Sequence, residues 1–249
     1  MANFYSPTSQ TLFDDVLWLP QKGARTILAG RPPNAYAILA RDGAILVDAV
    51  FSWNLPGVEE MAHAGKDILG VVITCAHVVE HADALETLRH DFGCRFLLHP
   101  ADQASPAAER TGLVFEDPLS DGVLTKAGVD VIPMPHHTPG SIMLHMEDHR
   151  GTLFSGASAV APGPLQEPEP PRLERPVVGR DGDGAFREQW EVLCAQRKYS
   201  NILPLFGTPY TDRTDTHQIM RQLWDGTPLD ERDAREDARG RERAEGVHV

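Results

Sequence analysis

Two short stretches of the sequence concentrate side chains that could bind a metal ion or move a proton. The first, TCAHVVEH, contains Cys75, His77 and Glu80, and the second, PHHTPGS, contains His137. A thiolate and two imidazoles form a donor set that zinc accepts, with a fourth position left for water. Imidazoles and a carboxylate that share a cleft could also perform acid–base chemistry without a metal. The elements that carry these stretches decide whether the side chains meet.

Each stretch follows a segment whose apolar and β-branched residues predict a strand. GVVIT ends at Thr74, GVDVIPM ends at Met134, and GTLFSGAS at residues 151–158 is a third strand with a polar end. Upstream, NAYAILA and AILVDAV are separated by RDG, which predicts a hairpin over residues 34–50. Catalytic groups often lie on loops that a rigid sheet positions. We therefore expect the loops after these strands to form one site.

The domain organisation follows from the distribution of apolar residues. A helical pattern runs from the TCAHVVEH stretch to about Asp91, and a second one occupies GAFREQWEVLCAQRKY. With 249 residues and 41% hydrophobic content, the chain is long enough to bury a substantial core. Residues 1–225 are predicted to form one domain. Residues 226–249 contain almost no apolar side chains, so a solvated helix or a disordered tail is expected there.

Charge and composition restrict the partners. The net charge of −13 argues against binding to nucleic acid or to an anionic membrane surface, and a small-molecule substrate or ligand is expected instead. No apolar run of 18 residues is present, and the N-terminus lacks the pattern of a secretory signal, so a cytoplasmic location is expected. The three cysteines are far apart and odd in number, which predicts free thiols. The sequence does not indicate an oligomeric state.

The order of strands and loops resembles the metallo-β-lactamase fold superfamily over about residues 34–209. The most specific matches are HTPGS at 137–141, LFSG at 153–156 and ILPLFGTP at 202–209. The resemblance implies an α/β fold in the form of a four-layer αβ/βα sandwich, with two sheets packed face to face and helices outside. It also implies a site at the edge where the strand-ending loops meet, with Asp48 orienting the first loop.

The same resemblance implies seven metal-binding positions, from an H-x-H-x-D-H loop, a His before T-P-G, an Asp after L-F-x-G and a final His. In this sequence only His77 and His137 hold the family's residue. The other five positions are occupied by Cys75, Val79, Glu80, Ala157 and Phe206. Side chains such as those of Val79 and Ala157 offer no lone pair to a metal. A two-metal centre is therefore not expected.

One zinc ion at most remains compatible with the family's first site, because Cys75, His77 and His137 occupy its three protein positions. Cys75 is shorter than a histidine, so the alternative is that it only fills space. Three hypotheses follow. The protein is a hydrolase or lyase acting on an ester, thioester or lactone, with one zinc and Glu80 as general base; or a metal-free enzyme using His77, His137, Glu80 or Cys75; or a pseudoenzyme that binds or scaffolds. In each case His77 and His137 are expected to face each other.

Overall fold

A computed structural model describes residues 7–28, 30–162, 171–175 and 182–225. In these residues the chain forms two β-sheets that pack face to face, with helices on the two outer sides. The predicted α/β class and four-layer arrangement are confirmed. The charged segment predicted as a tail, residues 226–249, lies outside the described residues.

The larger sheet changes from antiparallel to parallel pairing along its width. In the described chain it has seven strands, which neighbour one another in chain order. They are β1 (Gln10–Phe13), β2 (Val16–Trp18), β3 (Tyr36–Ala40), β4 (Gly43–Val47), β5 (Ile68–Ile73), β6 (Phe96–Leu98) and β7 (Phe115–Glu116). Pairs from β1 to β4 are antiparallel, and pairs from β4 to β7 are parallel. The β3–β4 pair is the predicted hairpin.

The smaller sheet is mixed, and four of its strands lie in the described chain. Their order is β11 (Asn201–Pro204), β10 (Thr152–Gly156), β9 (Ile142–Met146) and β8 (Val129–Pro133). β9 is antiparallel to both of its neighbours, whereas β10 and β11 are parallel. Parallel pairing requires a crossover between the two strands, and helix α7 (Gly182–Gln196) lies in that crossover.

The other helices are short. They are α1 (Leu55–His63), α2 (Ala76–His81), α3 (Leu85–Phe92), α4 (Pro100–Gln103), α5 (Pro106–Thr111), α6 (Gly122–Lys126) and α8 (Thr216–Arg221). The prediction of one helix through Asp91 was wrong, because α2 ends at His81 and α3 begins at Leu85. The amides of Asp83 and Ala84 donate to the carbonyl of Val50, which holds the connection out of helical geometry. None of the helices in the described ranges has the length and apolar character that a membrane crossing requires.

Alternating side chains divide the core into layers. Ile45, Val47 and Val72 point from the larger sheet toward the smaller one, whereas Leu46 and Val71 point to the helices outside. Successive side chains of a strand face opposite sides, so each central strand contributes to two buried clusters. A third cluster, on the outer side of the smaller sheet, is covered by α7 and α8. The two sheets thereby form a rigid support for the loops at their edge.

Asn34 joins distant parts of the chain at one end of the sandwich. Its side chain is fully buried and accepts hydrogen bonds from Trp18 Nε1 at 3.2 Å and Gln21 Nε2 at 2.7 Å. Its amide nitrogen donates to the carbonyl oxygens of Pro204 at 2.9 Å and Gly207 at 2.7 Å. The Asn34 amide thus links the first strands of the larger sheet to the end of β11 and to the residues just beyond it.

Candidate functional site

Two histidines from opposite sheets meet at the edge of the sandwich. His77 lies in the first turn of α2, after β5, and His137 lies between β8 and β9. His77 Nδ1 is 2.9 Å from His137 Nε2, and the ring centroids are 4.7 Å apart with the planes at 81°. The predicted proximity of these side chains is confirmed. The local structure differs from expectation in one respect, because His77 belongs to a helix and only Cys75 before it is extended.

Asp48 fixes the start of the first histidine loop. Its carboxylate accepts from the Thr74 amide and from the Thr74 hydroxyl, each at 2.8 Å. Asp48 itself has a left-handed backbone, with φ of 53°, and its side chain is buried. The Thr74 carbonyl in turn accepts from the Ile142 amide of β9 at 2.9 Å, which ties the two sheets together beside the site. The role expected for Asp48, orienting the loop, agrees with these contacts.

Asp102 connects the two histidine loops, and the sequence analysis did not identify it. Its buried carboxylate accepts from the Ala76 amide at 2.7 Å, the Thr138 hydroxyl at 2.6 Å and the Gly140 amide at 2.7 Å. Ala76 precedes His77 and Thr138 follows His137, so one side chain sets the spacing of both. In the sequence Asp102 follows Pro100 like any acidic residue in a first helical turn, so no pattern distinguishes it.

The HTPGS motif is explained by the same contacts. The Thr138 amide donates to Ser141 Oγ at 2.9 Å, and the Ser141 amide donates to the Thr138 carbonyl at 3.1 Å, which closes a tight turn. A Cβ atom at Gly140 would lie 2.8 Å from the Asp102 backbone nitrogen and 2.6 Å from its Cγ. Glycine is required there because the turn packs directly against Asp102. The motif therefore presents His137 while docking on the first loop.

The pair lies in the wall of a mainly apolar pocket. The pocket has a cavity volume of about 30 Å³, which is room for roughly two water molecules. It is lined by Ile27, Leu28, Pro33, Phe51, Cys75, His77, Val78, His81, His137, Ala157, Leu205 and Phe206. Burial, with a smaller effect from a charge on His77, lowers the pKa of His137 to about 3. His137 is therefore a neutral imidazole at physiological pH.

The donor set does not fit a metal held by three protein side chains. Across the described ranges, no group of three or more His, Cys, Asp or Glu side chains is arranged to hold an ion. The Cys75 thiol is buried, and this burial raises its pKa far above the ordinary value, so without a metal it is a neutral thiol. Val79, Ala157 and Phe206, at three of the family's other positions, pack in the apolar cluster beside the larger sheet. The two imidazoles are the donors that converge.

The side chains of Glu80 and His81 lie on different sides of α2. His81 lines the apolar pocket together with His77 and His137. Glu80 is exposed and borders a separate groove, which His77 also lines, between α2 and the α4–α5 segment. The structure thus brings His77 and His137 together and places Glu80 beside His77 but outside the apolar pocket. The role of Glu80 as general base stays a prediction.

The metal content follows from this donor inventory. We expect protein purified without added metal to carry at most one equivalent of zinc or iron per chain, because Val79, Ala157 and Phe206 supply no ligand for a second ion. Any single equivalent held by Cys75 and the two histidines should disappear in His77→Ala. Native mass spectrometry with elemental analysis measures both quantities. Two equivalents in the unmodified protein would contradict the prediction.

Comparison with known proteins agrees with this architecture. The solved structure of a metallo-beta-lactamase from Pontibacter korlensis has a TM-score of 0.62 at 13% identity, covering 88% of this chain and 99% of that one. A metallo-beta-lactamase from Erythrobacter litoralis gives 0.58 at 18%, covering 86% and 93%. The flavodiiron protein from Giardia intestinalis gives 0.58 at 15%, covering 87% and 58%. At these identities the likeness establishes the fold.

The family itself is established by sequence. No protein of curated function matches the chain. The family model described as the metallo-beta-lactamase superfamily, however, matches residues 28–193, which is about two thirds of the sequence. That range includes β3 to β10 and both histidine loops. The chain therefore belongs to the metallo-β-lactamase superfamily.

Proposed function

We propose that this protein is a hydrolase-like enzyme that cleaves a small ester, thioester or lactone with the His77–His137 pair as its acid–base group and without a two-metal centre. The observation that carries the proposal is the 2.9 Å contact between the two imidazole nitrogens in the wall of an apolar pocket. A pocket of this kind suits a short acyl chain, and a neutral imidazole at its edge suits proton transfer.

The contact between the two imidazoles allows two neutral tautomeric states, which differ in the nitrogen of each ring that carries the proton. In one tautomer His77 Nδ1 donates to His137 Nε2, and the remaining nitrogen of His77, Nε2, presents a lone pair. In the other, His137 Nε2 donates to His77 Nδ1, and His77 Nε2 carries a proton. His77 is the more exposed ring, so its Nε2 is the atom available to water or substrate. Because His137 stays neutral, it can accept part of the charge that develops on His77.

Hydrolysis with such a pair balances in two proton transfers. A water oxygen attacks the acyl carbon while His77 Nε2 accepts the water proton, so that the carbonyl oxygen becomes an oxyanion. The tetrahedral intermediate then breaks the bond to the alcohol or thiol, and the imidazolium returns the proton to that leaving group. The products are one carboxylic acid and one alcohol or thiol. A lactone yields both groups on one molecule.

Removal of either imidazole should abolish most of this chemistry. We expect His77→Ala and His137→Ala to lower kcat/KM by about 10²–10⁴-fold on the substrate found, because general acid–base catalysis contributes that much. The matched control is His90→Ala, since His90 is an exposed histidine on α3. A panel of esters, thioesters and lactones, assayed with and without chelator, provides the measurement. Full activity in both pocket variants would refute the proposed role of the pair.

A binding or scaffold protein is the second candidate. It is favoured by Phe206, which lies in the pocket wall at a position where the family carries a metal-binding histidine. An aromatic ring there reduces the volume for a substrate and adds apolar contact area for a ligand. This reading predicts saturable binding of a small apolar ligand with no turnover. Measurable chelator-resistant turnover that depends on His77 would exclude it.

A further inference from the structure

The second recess beside His77, the α2–α5 groove, is the largest part of the site that the proposed chemistry leaves unused. It lies between α2 and the α4–α5 segment and has a cavity volume of about 480 Å³, by the same measure as the apolar pocket. We infer that this groove holds the polar part of the same substrate and that this part is a zwitterion, its anionic group at Arg110 and its cationic group at Glu80. The inference rests on the proposed function for its acyl-binding pocket.

Helix α2 is the partition between the two recesses. Val78 and His81, three residues apart, face the apolar pocket, whereas His77 and Glu80, also three apart, line the groove. Residues spaced three or four apart share one side of a helix, so this division follows from helical geometry. His77 is the residue of α2 that lines both recesses. A substrate with its reacting carbonyl at His77 would therefore extend one end into each recess.

Among the charged side chains that line the groove, Arg110 and Glu80 are the two available to a ligand. Asp102 lies at its floor, but the Asp102 oxygens already accept hydrogen bonds from Ala76, Thr138 and Gly140. Arg110 and Glu80 are exposed, and among the described residues neither makes an ion pair or side-chain hydrogen bond. They come from different walls, α5 and α2. One free cation and one free anion thus face the same space.

This pairing selects the class of ligand. A singly charged group can pair with only one of the two side chains. A group that carries both charges can place each beside its opposite. The wide groove, which carries both charged side chains, also contrasts with the apolar pocket, whose free volume is about 30 Å³, so the two ends of the substrate should differ in size and charge.

Four butyryl esters whose alcohol parts differ in charge test the inference: butyrylcarnitine (zwitterion), butyrylcholine (cation), 4-(butyryloxy)butanoate (anion) and butyl butyrate (neutral). Binding is measured by calorimetry and hydrolysis by pH-stat titration. We expect the zwitterion to bind about 4–25-fold tighter than the neutral ester at low salt, since each of the two exposed charge pairs contributes roughly two- to fivefold. High salt should reduce this preference.

Variants assign the charges. Arg110→Gln should lose the part of the preference that depends on the carboxylate, and Glu80→Gln the part that depends on the ammonium group, each by about two- to fivefold in Kd. Arg187→Gln, on α7, is the control, because Arg187 is an exposed arginine paired with Glu191 away from the groove. If Glu80 acts instead as general base, Glu80→Gln should lower kcat for all four esters without changing their order of Kd.

The outcomes separate this inference from the proposed function. A zwitterion preference that both groove variants reduce would support the inference whether or not any ester is hydrolysed. Equal Kd values for the four esters, or a preference that Arg110→Gln and Glu80→Gln leave unchanged, would overturn it. Absence of hydrolysis together with selective binding would instead refute the enzymatic proposal and leave the groove as a recognition site.

Discussion

Replacing Asp102 with alanine is expected to lower the free energy of unfolding by about 3–6 kcal/mol, because it removes the shared acceptor of three buried donors. Those donors are the amides of Ala76 and Gly140 and the hydroxyl of Thr138. The cost exceeds that of an ordinary surface substitution since Asp102 is about 1% exposed, so water cannot easily replace its oxygens. Chemical denaturation of both proteins at neutral pH provides the comparison.

Asp102→Asn is the control that separates hydrogen bonding from side-chain volume. An asparagine keeps one acceptor oxygen in the same place, and that oxygen can serve two of the three donors, Ala76 and Thr138. We therefore expect a loss of about 1–3 kcal/mol in the free energy of unfolding, because the Gly140 amide would face the NH2 group of the asparagine and lose its acceptor. NMR of the imidazole nitrogens should show the His77–His137 contact kept in Asp102→Asn and weakened in Asp102→Ala. Equal stability of the alanine variant and the unmodified protein would contradict the assigned role of Asp102.

The second large effect is a pair of opposing pH dependences. Burial raises the pKa of Asp48 to about 7, against the opposing effect of its hydrogen bonds from Thr74. As pH rises from about 4 to 7, the unfolded chain loses this proton while the folded chain keeps it, so stability falls. Burial lowers the pKa of His137 to about 3. As pH falls from about 6.5 to 3, His137 is protonated in the unfolded chain but stays neutral in the folded chain. The free energy of unfolding therefore decreases as pH falls.

Each group contributes a slope of about 1.4 kcal/mol per pH unit, and over pH 4–6.5 the two slopes nearly cancel. Relative to the unmodified protein, Asp48→Asn should therefore make the slope of stability against pH more positive in this range, and His137→Gln should make it more negative. Asparagine suits the test because it tolerates the left-handed backbone at position 48 and can still accept from the Thr74 amide. Denaturant titrations at half-unit steps from pH 4 to 7.5 measure the slopes. Parallel curves for the two variants would disprove the assignment.

The sequence was sufficient for the parts of the fold that depend on local pattern. Segments rich in apolar and β-branched residues predicted β5 and β8, and the position of each histidine after such a segment, with the family resemblance, predicted that His77 and His137 meet. What could not be predicted depends on contacts between distant residues. Asp102 acts through loops 26 to 38 residues away along the chain. The break between α2 and α3 depends likewise on hydrogen bonds to the carbonyl of Val50. The spacing of apolar residues in the helices gives no information on such a contact.

The hydrogen bonds of Asn34 bear on how the domain folds. Its two donations reach residues 170 and 173 positions away, near the C-terminal end of the described chain. Loop closure over such a separation costs entropy before any contact repays it, so these bonds belong to a late step of folding. Leu205 and Phe206, which complete the pocket wall, lie between the two acceptor residues. The pocket should therefore be absent from a nascent chain until β11 has been synthesised and docked, and no shorter fragment of the domain should carry a closed pocket.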